Sequence, residues 1–221
     1  MLLAAAACAA GIALGNWQAR RADEKRALGA RLEQEMRSPP AQLPADLVEA
    51  GQFVLKHVAA SGHFVPEHTI YLDNKLRGGR PGYEVVTPLR LNGIHVLVNR
   101  GWLEAARTRD ALPEVATPAG RVRIEGLTLA RLPQALEAAP APRAKVRQNL
   151  ELGEFARETG LRLQPIVIEQ HSALADGLLR DWPRPDAGIE KHEMYSLQWY
   201  SLAGLALVLF IVLSFRRAGA A

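Results

Sequence analysis

The amino-acid sequence predicts a membrane protein of the α+β class, in which two transmembrane helices flank a mainly antiparallel β domain outside the cytoplasm. Three observations lead to this fold class: an apolar segment at each end of the chain, alternating polar and apolar residues between them, and an Asn-Gly pair that joins two alternating segments. We assign residues 1–16 to the first transmembrane helix, 17–37 to a helical stalk, 38–190 to the β domain and 194–215 to the second transmembrane helix.

The first apolar segment, residues 1–14, is short for a membrane span, and no basic residue precedes it. Basic residues follow it at 20–26, and by the positive-inside rule they would hold this flank in the cytoplasm. We therefore expect that the natural chain starts further upstream, with basic residues before the helix. A cleaved signal peptide and a lipoprotein signal acylated at Cys8 are the two alternatives.

Gly11 and Gly15 stand four residues apart, a spacing that lets two membrane helices approach closely. Small residues on the second apolar segment offer a matching surface, namely Ala203, Gly204 and Ala206. An Ala/Gly-rich composition would explain the same residues without any contact between helices.

Alternating and β-rich segments predict strands of the β domain over 68–72, 83–91, 94–98 and 121–129. The short apolar run 165–168 predicts a further strand that is buried on both faces. Asn92-Gly93 predicts a hairpin between the second and third of these strands. Because Pro88 cannot donate to a sheet ladder, we expect an exposed edge or a bulge there. A helix over 152–159 should end at Gly160, and loops should cover 77–82 and 133–142.

The second apolar segment, with its aromatic lead-in, covers about twenty residues, and at about 1.5 Å per residue it spans roughly 30 Å of hydrocarbon. Tyr195, Trp199 and Tyr200 at its start suit the boundary between lipid and water. Arg216 and Arg217 follow it, so the positive-inside rule places the C-terminus in the cytoplasm and the β domain outside.

The composition of the chain limits its partners. Its 221 residues carry a net charge of +4, but Lys and Arg do not cluster among aromatic residues as single-strand nucleic-acid binding requires. We therefore expect no nucleic acid as a partner, and anionic lipid head groups or a carboxylate-bearing ligand fit the charge better. The single cysteine, Cys8, excludes a disulfide within the β domain.

No catalytic motif indicates an enzyme. The sequence contains no GxSxG, HExxH or CxxC motif and no Gly-rich dinucleotide loop. His63 and His68 flank Pro66 at a spacing that a metal could use, but two exposed loop histidines are the simpler interpretation. We therefore expect a protein without enzymatic activity.

Arg100 and Trp102 end the return strand of the hairpin, in the order Asn99-Arg100-Gly101-Trp102. In a structural interpretation, an ion pair of Arg100 fixes the strand end and Trp102 belongs to the core. In a functional interpretation, the guanidinium group binds a carboxylate or a heme propionate beside the aromatic ring.

His192 is the strongest candidate for a binding residue. On a helix it shares one face with Tyr195, Ser196 and Trp199, at positions i, i+3, i+4 and i+7. An imidazole there could ligate a heme iron while the aromatic rings pack on the macrocycle. An interfacial aromatic belt with a solvated histidine is the simpler alternative.

Six sequence stretches together extend over nearly the whole chain: Gly15-x-Trp17-Gln18-x-x-Arg21-x-x-x-Lys25, Gly82-Tyr83-x-Val85-x-Thr87-Pro88-Leu89, Val96-Leu97-Val98-Asn99-Arg100-Gly101-Trp102, Gly126-Leu127, Gly177-Leu178-Leu179-Arg180-Asp181-Trp182-Pro183 and Lys191-His192-x-x-Tyr195-x-x-Gln198-Trp199. In content and order they resemble the surfeit-locus-one (Shy-type) family of cytochrome c oxidase assembly factors. The chain departs from the family pattern at Met194 and Ser196, where small Gly and Ala residues are expected.

The resemblance implies an assembly factor of the bacterial inner (plasma) membrane, a multi-pass protein with its body in the periplasm and its C-terminus in the cytoplasm. It implies a role in supporting heme a insertion into the catalytic subunit of the terminal oxidase. The partners would be that subunit, other oxidase assembly factors and membrane lipid.

The cofactor implied by the resemblance is a transiently bound heme a. We expect His192 as the iron ligand, and the other candidate contacts are Tyr195, Trp199, Arg100 and Trp102. The alternative is a membrane-anchored chaperone that binds the oxidase subunit without heme, through the regions of Trp102 and Trp182.

Overall fold

The computed structural model of the chain describes residues 2–106, 112–135, 144–183 and 188–218. The chain forms two compact units: a helical unit of residues 1–33 and 183–221, and a barrel unit of residues 34–182. The loop predicted over 133–142 lies partly outside the described residues.

Two long helices, α1 (Leu2–Arg37) and α4 (Ile189–Ala218), supply the helical unit. α1 runs without a break to Arg37 because no proline occurs before Pro39. Within α4, Ile189–Val212 has a mean hydropathy of 1.6 and is long and apolar enough to cross a membrane, and most of its side chains are exposed. Among the described residues it is the one segment of this kind, so the predicted membrane span over 1–16 is not confirmed.

Among its described residues the barrel unit contains eight strands, two short α-helices and one 3₁₀ turn, Pro66–His68. The strands and α-helices are given in chain order. They are β1 (Ala41–Gln42), α2 (Ala50–Phe53), β2 (His57–Phe64), β3 (Ile70–Arg77), β4 (Arg80–Arg90), β5 (His95–Glu104), β6 (Val122–Leu129), β7 (Val146–Arg147), α3 (Leu152–Thr159) and β8 (Leu163–Gln170). The strand order is β1-β2-β6-β8-β5-β4-β3-β7, and β2 also pairs with β4. The strands β2, β6, β8, β5 and β4 therefore close into a five-stranded barrel. Most pairings are antiparallel, as predicted, but β1–β2, β3–β7 and β5–β8 are parallel.

Most of the predicted elements are confirmed. The hairpin at Asn92-Gly93 joins β4 to β5, and α3 ends at Gly160, which adopts a left-handed φ of 69°. The strand predicted over 68–72 begins later and is longer, as β3. The segment predicted as a loop over 77–82 is instead a tight turn at Gly78-Gly79 between β3 and β4.

The expectation of an exposed edge or a bulge at Pro88 is wrong. Pro88 is buried and lies opposite Leu97 of β5 in regular register. Its carbonyl oxygen accepts a hydrogen bond from the backbone N–H of Val65, on the side of β4 that faces away from β5. The nitrogen of Pro88 faces this side as well, because the N–H and C=O groups of one residue in a strand point to the same side. On this side β4 changes its partner from β3 to β2. The missing donor therefore interrupts no ladder. The bulge of this strand pair lies in β5, where Arg100 is one extra residue opposite Val85 and Val86 of β4.

The core follows from alternation along the strands. One buried cluster takes residues from all five barrel strands and fills the barrel: it includes Val58, Leu89, Val96, Val98, Ile124, Ile166 and Ile168. A second cluster on the opposite face of β5 and β8 packs against Phe155 of α3, with Leu97 and Val167 at its centre. β8 is thus buried on both faces, as its apolar run predicts.

Candidate functional site

His192 lies near the start of α4 and contacts α1 within the helical unit. Its Nδ1 is 2.7 Å from Oε1 of Gln18, and the residue is half-buried. With Nδ1 donating to this oxygen, the ring is in the tautomer whose Nε2 carries the lone pair. Nε2 has no hydrogen-bond partner among the residues that the structure describes. The contact with Gln18 therefore leaves Nε2 of His192 open.

The helices α1 and α4 approach closely at Gly15 and Gly11. Oγ of Ser196, a buried residue, donates a hydrogen bond of 3.0 Å to the carbonyl oxygen of Gly15. A Cβ on Gly15 would lie 2.4 Å from the ring of Tyr200. A Cβ on Gly11 would lie 2.9 Å from the Cβ of Ala203. The predicted close approach of two helices at this glycine pair is confirmed, and Ser196 fits it although it departs from the family pattern.

Two further side-chain contacts link the same helices. Arg26 pairs with Glu193, and Oη of Tyr200 donates to Oδ1 of Asn16 at 2.7 Å. Both contacts are exposed, and such contacts add at most about 1 kcal/mol to stability. Their value is geometric, because along α1 they lie on either side of Gln18 and limit how the two helices can slide.

Tyr195 and Trp199, the aromatic residues predicted to flank a ligand at His192, differ in exposure. Tyr195 is 46% exposed, whereas Trp199 is half-buried. Met194 is also exposed. The ring of Tyr195 is therefore accessible to an incoming molecule, and Trp199 is partly used in packing.

Arg100 is fully buried in the barrel unit. Its Nη2 pairs with Oδ2 of Asp176 at 3.0 Å and donates to the carbonyl oxygen of Ala116 at 2.7 Å, and its Nη1 donates to Oγ1 of Thr117 at 2.7 Å. The guanidinium group also lies 4.7 Å from the ring centre of Phe64. These contacts favour the structural interpretation of Arg100, because its donors serve the chain itself.

Asp176 also forms an ion pair with Arg180, whose Nη2 donates to Oδ2 of Asp176 at 2.7 Å. Its Oδ1 accepts a hydrogen bond of 3.2 Å from the backbone of Leu178. Burial lowers the pKa of Arg100, and the charge of Asp176 opposes this effect. A buried carboxylate that is paired and hydrogen-bonded in this way fixes the segment that carries it, residues 176–180, which we call the strap.

Trp102 belongs to the core, at 1% exposure, and its Nε1 donates to the carbonyl oxygen of Lys75 at 2.7 Å. Its backbone exchanges two hydrogen bonds, of 2.7 and 2.8 Å, with Leu179 of the strap. The neighbouring Gly101 adopts a φ of 145°, and a Cβ there would lie 2.7 Å from the carbonyl oxygen of Leu179. The strap thus covers the strand end at Trp102, whose ring offers no open face to a ligand or partner.

Trp182, the other tryptophan expected to meet a partner, is half-buried. Its Nε1 donates to the carbonyl oxygen of Gln170 at 2.9 Å, and its ring centre lies 6.3 Å from that of His171. Part of the indole ring therefore stays accessible at the surface of the barrel unit.

The predicted site residues fall into two groups. His192, Tyr195 and Trp199 come together in the helical unit, whereas Arg100 and Trp102 belong to the barrel unit. Among the described residues, no group of three or more His, Cys, Asp or Glu side chains could hold a metal ion.

Sequence reasoning missed the roles of Gln18 and Asp176. Gln18 stands in one of the family stretches, but nothing in its local pattern indicates a contact with a residue 174 positions away. Asp176 directly precedes another of these stretches, and only the burial of Arg100 identifies it as the partner. If Arg100 is buried, it needs a carboxylate as its partner, and a search of the sequence for that carboxylate could have identified Asp176.

Comparison with known proteins gives a consistent result. A model of the SURF1 family matches residues 5–204. Surfeit locus protein 1 of Mus musculus is 28% identical over 92% of this chain and 72% of its own length, and the SURF1-like protein of Rickettsia bellii is 28% identical over 90% and 84%. Cytochrome oxidase assembly protein SHY1 of Saccharomyces cerevisiae is 31% identical over 41% of this chain and 24% of its own length. Since the family model covers far more than half of the sequence, the chain belongs to the SURF1 family.

Proposed function

We propose that this chain is an assembly factor for the heme a/copper terminal oxidase, cytochrome c oxidase, and that it supports heme a insertion into the catalytic subunit. Membership of the SURF1 family supports the assembly role, because a yeast relative bears the name cytochrome oxidase assembly protein. The observation that carries the heme role is the contact between His192 and Gln18, which leaves Nε2 of the imidazole open. In this proposal the chain holds and presents heme and catalyses no reaction.

The residues around His192 fit a heme group. A histidine that ligates a metal usually donates its other ring N–H to an acceptor, which fixes the tautomer and orients the ring. Gln18 is such an acceptor, and Tyr195 offers an exposed ring about one turn further along α4. A bound heme would supply an iron that accepts a nitrogen ligand. Arg100 and Trp102 lie outside this proposal, because the core of the barrel unit uses both side chains.

We further propose that α1 and α4 cross the bacterial inner membrane as a hairpin, with the β domain in the periplasm and the C-terminus in the cytoplasm. The length and apolar character of Ile189–Val212 support the span of α4. The close approach at Gly11 and Gly15 supports the pairing of α1 with it, since small residues at an interface are typical of membrane helices.

A second candidate function is a chaperone that binds the oxidase catalytic subunit without heme. Exposed side chains near the start of α4 favour it, namely Met194, Tyr195 and Leu197. Exposed apolar side chains at this end of the candidate span suit contact with a helix of another membrane protein. The burial of two of the five predicted heme contacts also favours this candidate.

The test of the heme role is purification of the full chain from cells that make heme a. His192→Ala should remove the bound a-type heme while thermal unfolding stays unchanged, because the side chain of His192 is half-buried and makes one hydrogen bond in the described structure. His171→Ala is the control, since His171 is an exposed histidine of the barrel unit. Equal heme in both variants and the wild type would overturn the ligand role. A heme-free wild type that still co-purifies with the oxidase subunit would favour the second candidate.

The test of the assembly role is a deletion strain. Its membranes should lose the a-type band of the reduced optical spectrum and oxidase turnover, while the b-type and c-type bands remain. An unchanged spectrum and unchanged turnover, in a strain without a second copy of the gene, would contradict a role in oxidase assembly.

A further inference from the structure

One end of the barrel contains an open pocket of about 440 Å³. It lies where β2 ends and β6 begins, beside the turn between β4 and β5 and next to β1. Five polar side chains line it: Gln42, Ser61, His63, Asn92 and Arg121. Its volume lies within the range of small-ligand sites, about 300–1,000 Å³.

The pocket is rich in hydrogen-bond donors. Among the described residues that line it there is no Asp or Glu. Arg121 is exposed and has no ion-pair or hydrogen-bond partner among the described residues. Oε1 of Gln42 accepts a hydrogen bond of 3.4 Å from Arg123, which leaves the amide NH₂ of Gln42 for another acceptor.

The surrounding strand ends add positive charge to this end of the barrel. Arg90 lies opposite His63 across the pairing of β2 with β4, and it lies opposite His95 across the pairing of β4 with β5. The backbone N–H of His95 donates to the carbonyl oxygen of Arg162, directly before β8. Burial is the main cause that lowers the pKa of His95, and the positive charges of Arg90 and His68 lower it further.

We propose that this end of the barrel binds a phosphate group, with Arg121 as the cationic contact and Asn92 and Ser61 as neutral donors. A guanidinium group binds two phosphate oxygens at once, and amide and hydroxyl groups can bind the remaining ones. The pocket has room for the rest of a small phosphorylated ligand, which is either a lipid head group or a free phosphate compound. The proposal uses no residue of the helical unit and does not depend on heme binding.

The experiment is calorimetric titration of the full chain, in a neutral detergent and at constant ionic strength, with two probes. Inorganic phosphate represents the free anion, and glycerophosphoglycerol represents the head group of phosphatidylglycerol without its acyl chains. Arg121→Ala should weaken binding of the preferred probe roughly tenfold or more. Arg121→Lys should weaken it less, because Lys keeps the positive charge but cannot donate two parallel hydrogen bonds to the phosphate. Arg131→Ala is the matched control, since Arg131 is an exposed arginine beyond the other end of β6.

The two probes separate the sources of the phosphate. Stronger binding of glycerophosphoglycerol that depends on Arg121 assigns the pocket to a lipid head group, and the opposite order assigns it to a free phosphate compound. Either result supports the site. Binding that persists in Arg121→Ala, an equal loss in Arg131→Ala, or no binding at millimolar probe overturns the proposal.

Discussion

The carboxylate of Asp176 and the guanidinium group of Arg100 form an ion pair at 3.0 Å in which neither side chain is exposed to solvent. Arg180 shares the same carboxylate oxygen. The pair joins the strap to β5 at the position where β5 carries its extra residue, so it ties an irregular strand to the segment that covers it.

Asp176→Asn should therefore destabilise the barrel unit strongly. The substitution leaves two arginines without a counter-charge, and removing one partner of a buried pair costs about 3–5 kcal/mol. Urea unfolding of the full chain, followed by tryptophan fluorescence, measures this loss. Glu104→Gln is the control, because it removes an exposed pair with Arg80 of 2.8 Å and should cost at most about 1 kcal/mol. Equal losses in the two variants would contradict the role of Asp176.

Gly101→Ala should lower the unfolding free energy by about 1–3 kcal/mol. The added Cβ would meet the carbonyl oxygen of Leu179, and the φ of 145° is strained for any residue with a side chain. Gly153→Ala is the matched control, since Gly153 lies in α3 with no atom of a described residue within 4 Å of its Cβ position, and Ala favours a helix by about 1 kcal/mol. The two changes should therefore shift the urea midpoint in opposite directions. A midpoint that rises in both variants would show that the strap moves away from Gly101 at little cost.

Gln18→Leu should weaken heme binding by roughly tenfold or more, if His192 is the ligand, because loss of the partner that orients a ligating histidine typically has this effect. Asn16→Ala is the control, since Asn16 contacts Tyr200 and not His192. Titration of the purified chain with heme, followed by optical absorbance, gives the two affinities. Identical affinities would mean that Gln18 does not orient His192.

The stability of the barrel unit should decrease as the pH falls through about 6.5, the ordinary pKa of histidine. Burial lowers the pKa of His95 in the folded chain, the hydrogen bond with the backbone of Arg162 partly opposes this effect, and the charges of Arg90 and His68 add to the lowering. The unfolded chain therefore binds a proton more readily than the folded chain, and the loss of stability levels off below the folded pKa. His95→Gln should flatten this part of the pH dependence, which urea unfolding between about pH 8 and about pH 5 can measure. A constant difference between variant and wild type over this range would exclude His95 as the cause.

Alternation and turn chemistry predicted most strands of the barrel, because each of these features is local. β8, for example, is recognisable from Ile166, Val167 and Ile168, which are buried on alternate faces. The closure of the barrel was not predictable in the same way. The pairing of β2 with β4 and the parallel pairing of β5 with β8 join distant segments, and no local pattern specifies which strand is the neighbour.

The candidate site shows the same division between local and distant information. Helical spacing placed His192 and Ser196 on one face, and the structure puts both against α1. For Arg100 the sequence allowed a core ion pair or a ligand contact, and burial decides between them. The partner of Arg100 lies 76 positions along the chain, which is why sequence alone could not choose.

The parallel pairing of β5 with β8 also has a consequence for biosynthesis. Leu97 lies opposite Val167, so a nascent chain that has emerged only as far as β6 carries an open sheet with bare edges on β5 and β6. These edges meet their neighbour only after Leu163–Gln170 has left the ribosome, shortly before the apolar residues of α4 follow. A chain truncated before β8 would expose unpaired strands to aggregation and proteolysis, because open edges readily pair with other chains.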